Sequence, residues 1–264
     1  MCSNPSVTPN KSAVVDAKTT AAAVEKILAT GPQILEEVGQ APIFQKEQTR
    51  EFPSFTRQEL EFGKVLGVGA FGVVREVLNI HHSAQGSDDD EADSQSEQPQ
   101  HPLAGNRVDA HHYDISIAKN RMVKQCMRHG EARYAVKYLK TQEIDAQERA
   151  RGRIDLAIEV QYLHALNHPN IVKMRGYFDT SGDRLHPDNF FLMDRLYGTL
   201  EDRIDEWKTC LKEHAPKGLC GLLSKSKRAH HDEFSKNLLQ ERLVGAYDIA
   251  SAFRYMHSHK LIYR

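Results

Sequence analysis

The sequence predicts a two-layer α+β fold: a small twisted antiparallel sheet of about five strands crossed by one long helix, then a helical segment that begins a second lobe. Three observations carry this expectation. β-branched and apolar residues flank a glycine-rich loop at 66–74 on both sides; a short apolar strand follows at 133–139; and two stretches, 152–166 and 235–259, repeat apolar residues at helical spacing.

The loop reads LGVGAFGVV, with Gly67, Gly69 and Gly72 at G-x-G-x-x-G spacing. Three glycines leave a backbone free to take positive φ and to lie close against another molecule, most often a phosphate chain. The flanks decide which kind. In a dinucleotide fold a helix follows the last glycine. Here Phe62, Val65 and Leu66 precede the loop and Val73, Val74, Val77, Leu78 and Ile80 follow it without helical period. That is strand, loop, strand, which argues strongly against a third reading, a dinucleotide-binding oxidoreductase. No G-x-x-x-x-G-K-[ST] run is present, which excludes the ATPase loop.

A glycine hairpin over phosphates calls for a lysine on the next strand and a glutamate on the next helix to hold it. Arg133-Tyr134-Ala135-Val136-Lys137-Tyr138-Leu139 is a short apolar strand with Lys137 at its centre. The amphipathic stretch 152–166 places Ile154, Ile158, Tyr162, Leu163 and Leu166 at helical spacing, and Glu159 lies on it.

With these segments in order, the chain resembles eukaryotic protein kinases. LGVGAFGVV is similar to their glycine-rich loop, AVK at 135–137 to the third-strand lysine motif, and IEVQYLHALNHPNIVKM at 158–174 to the third helix and fourth strand. FFLMDRLYGTL at 190–200 resembles the hinge, and Leu261-Ile262-Tyr263-Arg264 the approach to the catalytic loop, with Tyr in place of the usual His of H-R-D. The resemblance runs from about Phe55 to Arg264 and implies ATP and Mg2+ as cofactors, a protein substrate, and Ser/Thr hydroxyls as acceptors.

Residue by residue, the resemblance implies the following. Gly67, Gly69 and Gly72 let backbone N–H groups approach the phosphates, and Phe71 caps the loop tip. Leu66, Val74 and Ala135 close on the adenine faces. Lys137 grips the α- and β-phosphates and Glu159 holds it by an ion pair. Met193 guards the back of the adenine pocket, the backbones of Asp194 and Leu196 pair with the adenine edge, and Leu163 and Met174 pack the helix to the sheet. Tyr263 and Arg264 match the His and Arg of H-R-D.

One departure bears on activity. The family's catalytic Asp and the D-F-G aspartate that holds magnesium have no counterpart, and no D-F-G, H-R-D or A-P-E run occurs anywhere. General acid–base help is worth roughly 10² to 10⁴ in rate, but phosphoryl transfer depends chiefly on metal and fixed dipoles. The chain is therefore expected to be a truncated member that does not catalyse transfer by itself. The alternative is a pseudokinase-like or regulatory fragment that holds nucleotide or a partner without catalysis.

Lys and Arg number 35 against 36 Asp and Glu, a net charge of −1, so no global field draws in nucleic acid or an anionic membrane. Cys2, Cys126, Cys210 and Cys220 form no C-x-x-C pair, which fits reduced thiols in a cytoplasmic or nuclear setting. No run approaches the ~18 apolar residues of a membrane helix, and the polar start lacks the apolar core of a secretory signal.

Residues 1–54 form an extension, expected to be largely flexible, with helical candidates at 19–29 and 32–38 broken by Gly31-Pro32. It reads as a docking segment or as a plain tail. Residues 55–193 form the first lobe. An acidic insert, about 81–130, includes SDDDEADSQSEQPQ from Ser87 to Gln100, cannot bury enough apolar surface to offset ordering entropy, and is expected to be disordered. Ser87, Ser94 and Ser96 are phosphorylation candidates there. The His81-His82 and His111-His112 pairs lack a spaced third ligand, so no metal is expected.

Residues 194–264 form the hinge and the start of the second lobe. A basic loop at about Cys210–Glu233 carries SKSKR, a candidate import signal or acidic-partner dock, or else a solvated loop. Trp207, with Ile204 on a short helix from Leu200, is assigned to core packing. Along 235–259, Leu239, Leu243, Ala246, Ala250, Phe253 and Met256 form an apolar stripe that needs a partner.

Overall fold

The computed structural model describes residues 11–46, 50–81, 107–142, 144–179, 181–213 and 225–262. Cys2, Cys220, His82, Lys217, the acidic run with Ser87, Ser94 and Ser96, and the terminal pair Tyr263 and Arg264 lie outside the described residues. The chain divides into two compact units, one of Met1–Ala165 with Lys173–Arg195, the other of Leu166–Val172 with Leu196–Arg264.

The first unit is built on a sheet. Its strands are β1 (Ser54–Phe55), β2 (Leu60–Val68), β3 (Gly72–Ile80), β6 (Tyr134–Leu139), β7 (Met174–Phe178) and β8 (Phe190–Asp194), in the spatial order β1-β7-β8-β6-β3-β2. A small separate hairpin pairs β4 (Met127–Arg128) with β5 (Glu131–Ala132). The α+β class holds, and the sheet has one strand more than expected. That strand, β1, runs parallel to β7 and makes the sheet mixed, whereas the other pairings are antiparallel.

Two residues explain the extra strand. Phe55 is fully buried, and its ring lies against position 176, where an added Cβ would sit 2.5 Å from ring carbon Cε2. Gly176 makes the room. The core cluster joins Phe55 and Leu60 to Val77, Ile80, Tyr134, Val136, Phe190 and Leu192. Alternate residues of β6 and β8 enter it, as a pleated strand with one face inward requires.

Helix α4 (Ala146–Ala165) is the expected long helix and begins six residues earlier than the apolar period, for a local reason. Asp145 Oδ1 accepts the backbone N–H groups of Gln147 and Glu148 at 2.7 and 2.8 Å, and Glu148 Oε2 accepts the Asp145 N–H at 3.3 Å. The reciprocal pair satisfies donors the helix start would otherwise leave open. Ile154, Leu163 and Ala165 are buried on its inner face.

The N-terminal extension differs from the expectation of a largely flexible segment. Helix α1 (Lys11–Gly39) runs unbroken through Gly31-Pro32, and α2 (Pro42–Lys46) follows. A proline inside a helix removes a hydrogen bond and clashes with the preceding turn. Packing outweighs that penalty: Leu35 and Ile43 are buried, Gly31 sits against Leu185 and Ile154, and the Gln161 amide donates to the Leu35 carbonyl at 3.2 Å. A sequence window sees the breaker but not the surface that holds the helix together.

The insert also needs correction. Its second half is ordered: α3 (Arg107–Lys124) ends on the sheet lobe, and Met122 and Cys126, one turn apart, join the core cluster. Lys119 Nζ donates to the Ser54 carbonyl at 3.0 Å and lies 2.6 Å from Glu59 Oε1. Burial alone would raise the Glu59 carboxyl, but Lys119, with its hydrogen bond and charge, and Thr56 together hold it below its ordinary value. The expectation of disorder through residue 130 extended the acidic run's composition over residues whose apolar side chains repeat every fourth position.

The second unit contains α5 (Leu200–Glu213) and α6 (Lys225–Ser258). Trp207 is half-buried rather than core; its indole N–H donates to Glu241 Oε2 at 3.1 Å, and α5 has no buried residue. The apolar stripe of α6 is open, with Leu239 and Leu243 at 55% and 61% exposure. His168, of the HPNIV string, bonds Ser251 at 3.2 Å and lies tilted against Tyr255 at 5.2 Å between ring centroids.

Candidate active site

The hairpin of β2 and β3 closes through a turn in which the Gly69 N–H donates to the Gly72 carbonyl at 2.8 Å. None of Gly67, Gly69 and Gly72 takes a positive φ; among the described glycines only Gly130 and Gly182 do. Space, not backbone handedness, is what these positions supply. At Gly72 an added Cβ would lie 3.3 Å from Lys137 Cε, so the missing side chain makes way for the lysine stem. At Gly67 nothing lies within 4 Å, which leaves the backbone bare toward the cleft.

Register places the cation. In β3 and β6, Val74 pairs with Lys137 and Gly72 with Leu139, so Val74 and Lys137 share one face of the sheet. Across from them α4 presents Glu159. Lys137 Nζ lies 2.7 and 2.5 Å from its two carboxylate oxygens, with the side chains 30% and 38% exposed. The pair forms the floor of a cleft of about 440 Å³ under the glycine loop, lined also by Val68, Ala70, Leu139, Gly152, Asp155 and Leu156.

Of the residues expected at the site, Gly67, Gly69, Phe71, Gly72, Val74, Lys137 and Glu159 surround this one cleft. Phe71 does not cap the loop tip in the open; it is half-buried, and an added Cβ on Gly152 would lie 3.1 Å from its Cβ. Its carbonyl accepts the Lys140 N–H at 2.8 Å, which pins the turn to the end of β6. Ala135 is buried and pairs with Met193, next to Asp194, on the neighbouring strand. Ala135, Met193, Asp194 and the half-buried Leu66 do not line the cleft. Leu196 belongs to the second unit and is 68% exposed. Leu163 and Met174 are both buried.

Gly152, Asp155 and Leu156 escaped the sequence reading. They lie on the same face of α4 as Glu159, seven, four and three residues before it, so the helical period anchored on Glu159 contained the signal. Asp155 adds a second carboxylate beside one lysine. A polyphosphate entering this cleft therefore needs a counter-cation of its own, since the side chains there carry one positive and two negative charges. Among the described residues no group of three His, Cys, Asp or Glu side chains is placed to hold a metal.

Compared with known protein families, residues 119–264, more than half of the chain, match the family described as Protein kinase domain. The match covers Lys137, Glu159, β8 and α6; the glycine loop at 66–74 precedes it and is joined to it by the strand pairing above. No curated protein matches the chain. The chain belongs to the protein kinase domain family.

Proposed function

We propose that the sheet lobe of this chain binds ATP carried with Mg2+, the glycine loop lying over the phosphates, Lys137 gripping them and Glu159 orienting Lys137. The carrying observation is the doubly bonded Lys137–Glu159 pair on the floor of a 440 Å³ cleft under Gly67, Gly69 and Gly72. The cleft fits a polyphosphate on three counts: a bare backbone, a cation with a fixed direction, and no side chain at Gly67 or Gly72 to block approach. Leu66, Val74, Ala135, Met193 and Asp194 supply the adenine contacts in this reading.

In the family the nucleotide's γ-phosphate passes to protein hydroxyls. Ser and Thr as acceptors rest on the resemblance of Leu261–Arg264 to the Y-R variant of the catalytic-loop approach. Nucleotide binding belongs to the sheet lobe in this reading, since Lys137, Glu159 and the glycine loop are the parts of the family's machinery that meet at one cleft. Reduced cysteines and the lack of any helix, among the described residues, long and apolar enough to cross a membrane are compatible with the cytoplasmic or nuclear setting we propose.

Thermal unfolding with and without Mg-ATP tests the binding. A ligand at one hundred times its dissociation constant stabilises a fold by about 2.7 kcal/mol, so the wild type should melt higher with nucleotide and Lys137→Ala should not. Absence of a shift in both proteins would overturn the reading.

A further inference from the structure

Helix α4 lines two separate cavities. Gly152, Asp155, Leu156 and Glu159 look into the phosphate cleft. Ala157, Val160, Gln161 and His164 recur at helical spacing on the opposite side of the helix, and they line a second cavity of about 520 Å³. It lies wholly within the first unit and shares no residue with the phosphate cleft.

Small-molecule sites hold about 300–1,000 Å³ and join apolar walls to a few converging polar groups. Six residues of this cavity's wall, Gly39, Phe44, Arg50, Glu51, Phe52 and Ile115, precede residue 119, where the family match begins. The extension and the insert therefore build it together with α4, Tyr177 of β7 and the turn before β8. Gly39, at the end of α1, leaves room for the Gln161 amide, since an added Cβ there would lie 3.1 Å from Nε2.

The polar groups converge on His164. Its Nδ1 is engaged by the Val160 carbonyl at 2.9 Å, and its ring is wedged between Phe52, edge-on at 5.4 Å, and Tyr177 at 5.3 Å. Burial and the charges of Arg184 and Arg50 lower its pKa, so the ring stays neutral and Nε2 is a lone-pair acceptor with no hydrogen-bond partner among the described residues. Gln161 repeats the pattern: Nε2 donates to the Leu35 carbonyl at 3.2 Å, while Oε1 is buried without a partner among the described residues. Buried acceptors left open cost stability and call for a donor.

Charge sets the other requirement. Arg50 and Arg184 face the cavity against Glu51 alone, an excess of positive charge where the phosphate cleft carries an excess of negative. Arg184 is exposed, and among the described residues it pairs with no carboxylate.

We propose that the cavity behind α4 binds a small planar aromatic carboxylate bearing a ring N–H: Phe44, Phe52 and Tyr177 take the ring, Arg184 and Arg50 the carboxylate, and His164 Nε2 the N–H. Indole-3-acetate is the probe, titrated into the full chain and followed by ligand NMR. It should bind, and Arg184→Gln should weaken it by about tenfold or more, as loss of one charged hydrogen bond requires. Indole-3-acetamide, which has no charge, should bind about tenfold more weakly, and naphthalene-1-acetate, which has no N–H, about three- to tenfold more weakly. These two arms use the wild type, so they decide should Arg184→Gln fail to fold.

Lys137→Ala should leave indole-3-acetate within about twofold, because distant sites act independently. A loss there as large as in Arg184→Gln would put the probe in the phosphate cleft and overturn the proposal. So would a wild type that does not bind indole-3-acetate. Equal binding of all three probes, unmoved by Arg184→Gln, would mark adsorption to apolar surface such as the open stripe of α6, and overturns it too. None of these outcomes involves Mg-ATP, so the nucleotide reading stands or falls separately.

Discussion

Replacing Glu159 by Gln keeps the shape of the side chain and removes the charge that aims Lys137. Three effects compete. The pair is 30% and 38% exposed, so its direct contribution to folding is about 0–1 kcal/mol, which in a unit of this size lowers Tm by no more than about 4 °C. Removing an anion from a cleft that also holds Asp155 favours phosphate by Coulomb attraction, about 1 kcal/mol at 4 Å in water. Releasing Lys137 from its two contacts at 2.7 and 2.5 Å lets the ammonium swing away and loses a charged hydrogen bond to phosphate, about 1.5–3 kcal/mol. The last term wins. Mg-ATP should bind roughly two- to thirtyfold more weakly while Tm barely moves. Nucleotide titration and a melting curve on the same protein measure both. Affinity that is unchanged or tighter, with an unchanged Tm, would show that the carboxylate does not steer the lysine.

Met122→Ala should destabilise the first unit: three buried methylene-sized groups at about 0.8 kcal/mol each, plus a cavity, come to roughly 2–5 kcal/mol in a urea melt. A loss under about 0.5 kcal/mol, usual for a surface site, would mean that α3 does not dock. Gly152→Val should press on Leu139 and Phe71, each 3.1 Å from the new Cβ, and lower both stability, by about 1–3 kcal/mol, and nucleotide affinity; loss of neither would dispute the packing of Phe71 on α4. His164 donates from Nδ1 to the Val160 carbonyl at 2.9 Å when neutral, and burial, with the nearby charges of Arg184 and Arg50, lowers its pKa below the ordinary 6.5. The unfolded chain then takes up a proton first, so stability present above pH 6.5 should fall as pH drops below it, and His164→Phe should flatten that slope in pH-dependent melts. Cys126 is buried and its thiol is pushed up to about 11, so at pH 8 alkylation followed by mass spectrometry should find Cys210 modified well before Cys126.

Local chemistry along the chain determined the glycine hairpin, the strand with Lys137, the helix with Glu159 and the order in which they follow, because alternation and helical period are written in neighbouring residues. The sequence also carried the absence of any D-F-G run. What only the tertiary structure decided lies between segments far apart in the chain. Gly31 and Pro32 read as a break until Leu185 and Ile154 are known to lie beside them. Lys119 reads as one more charge in a polar insert until Glu59 closes on it across the fold. Gly63 and Gly176 look like weak points in strands, yet each clears space for one specific side chain, Glu76 and Phe55. Burial and close approach depend on partners supplied by the whole chain, and no window of sequence contains them.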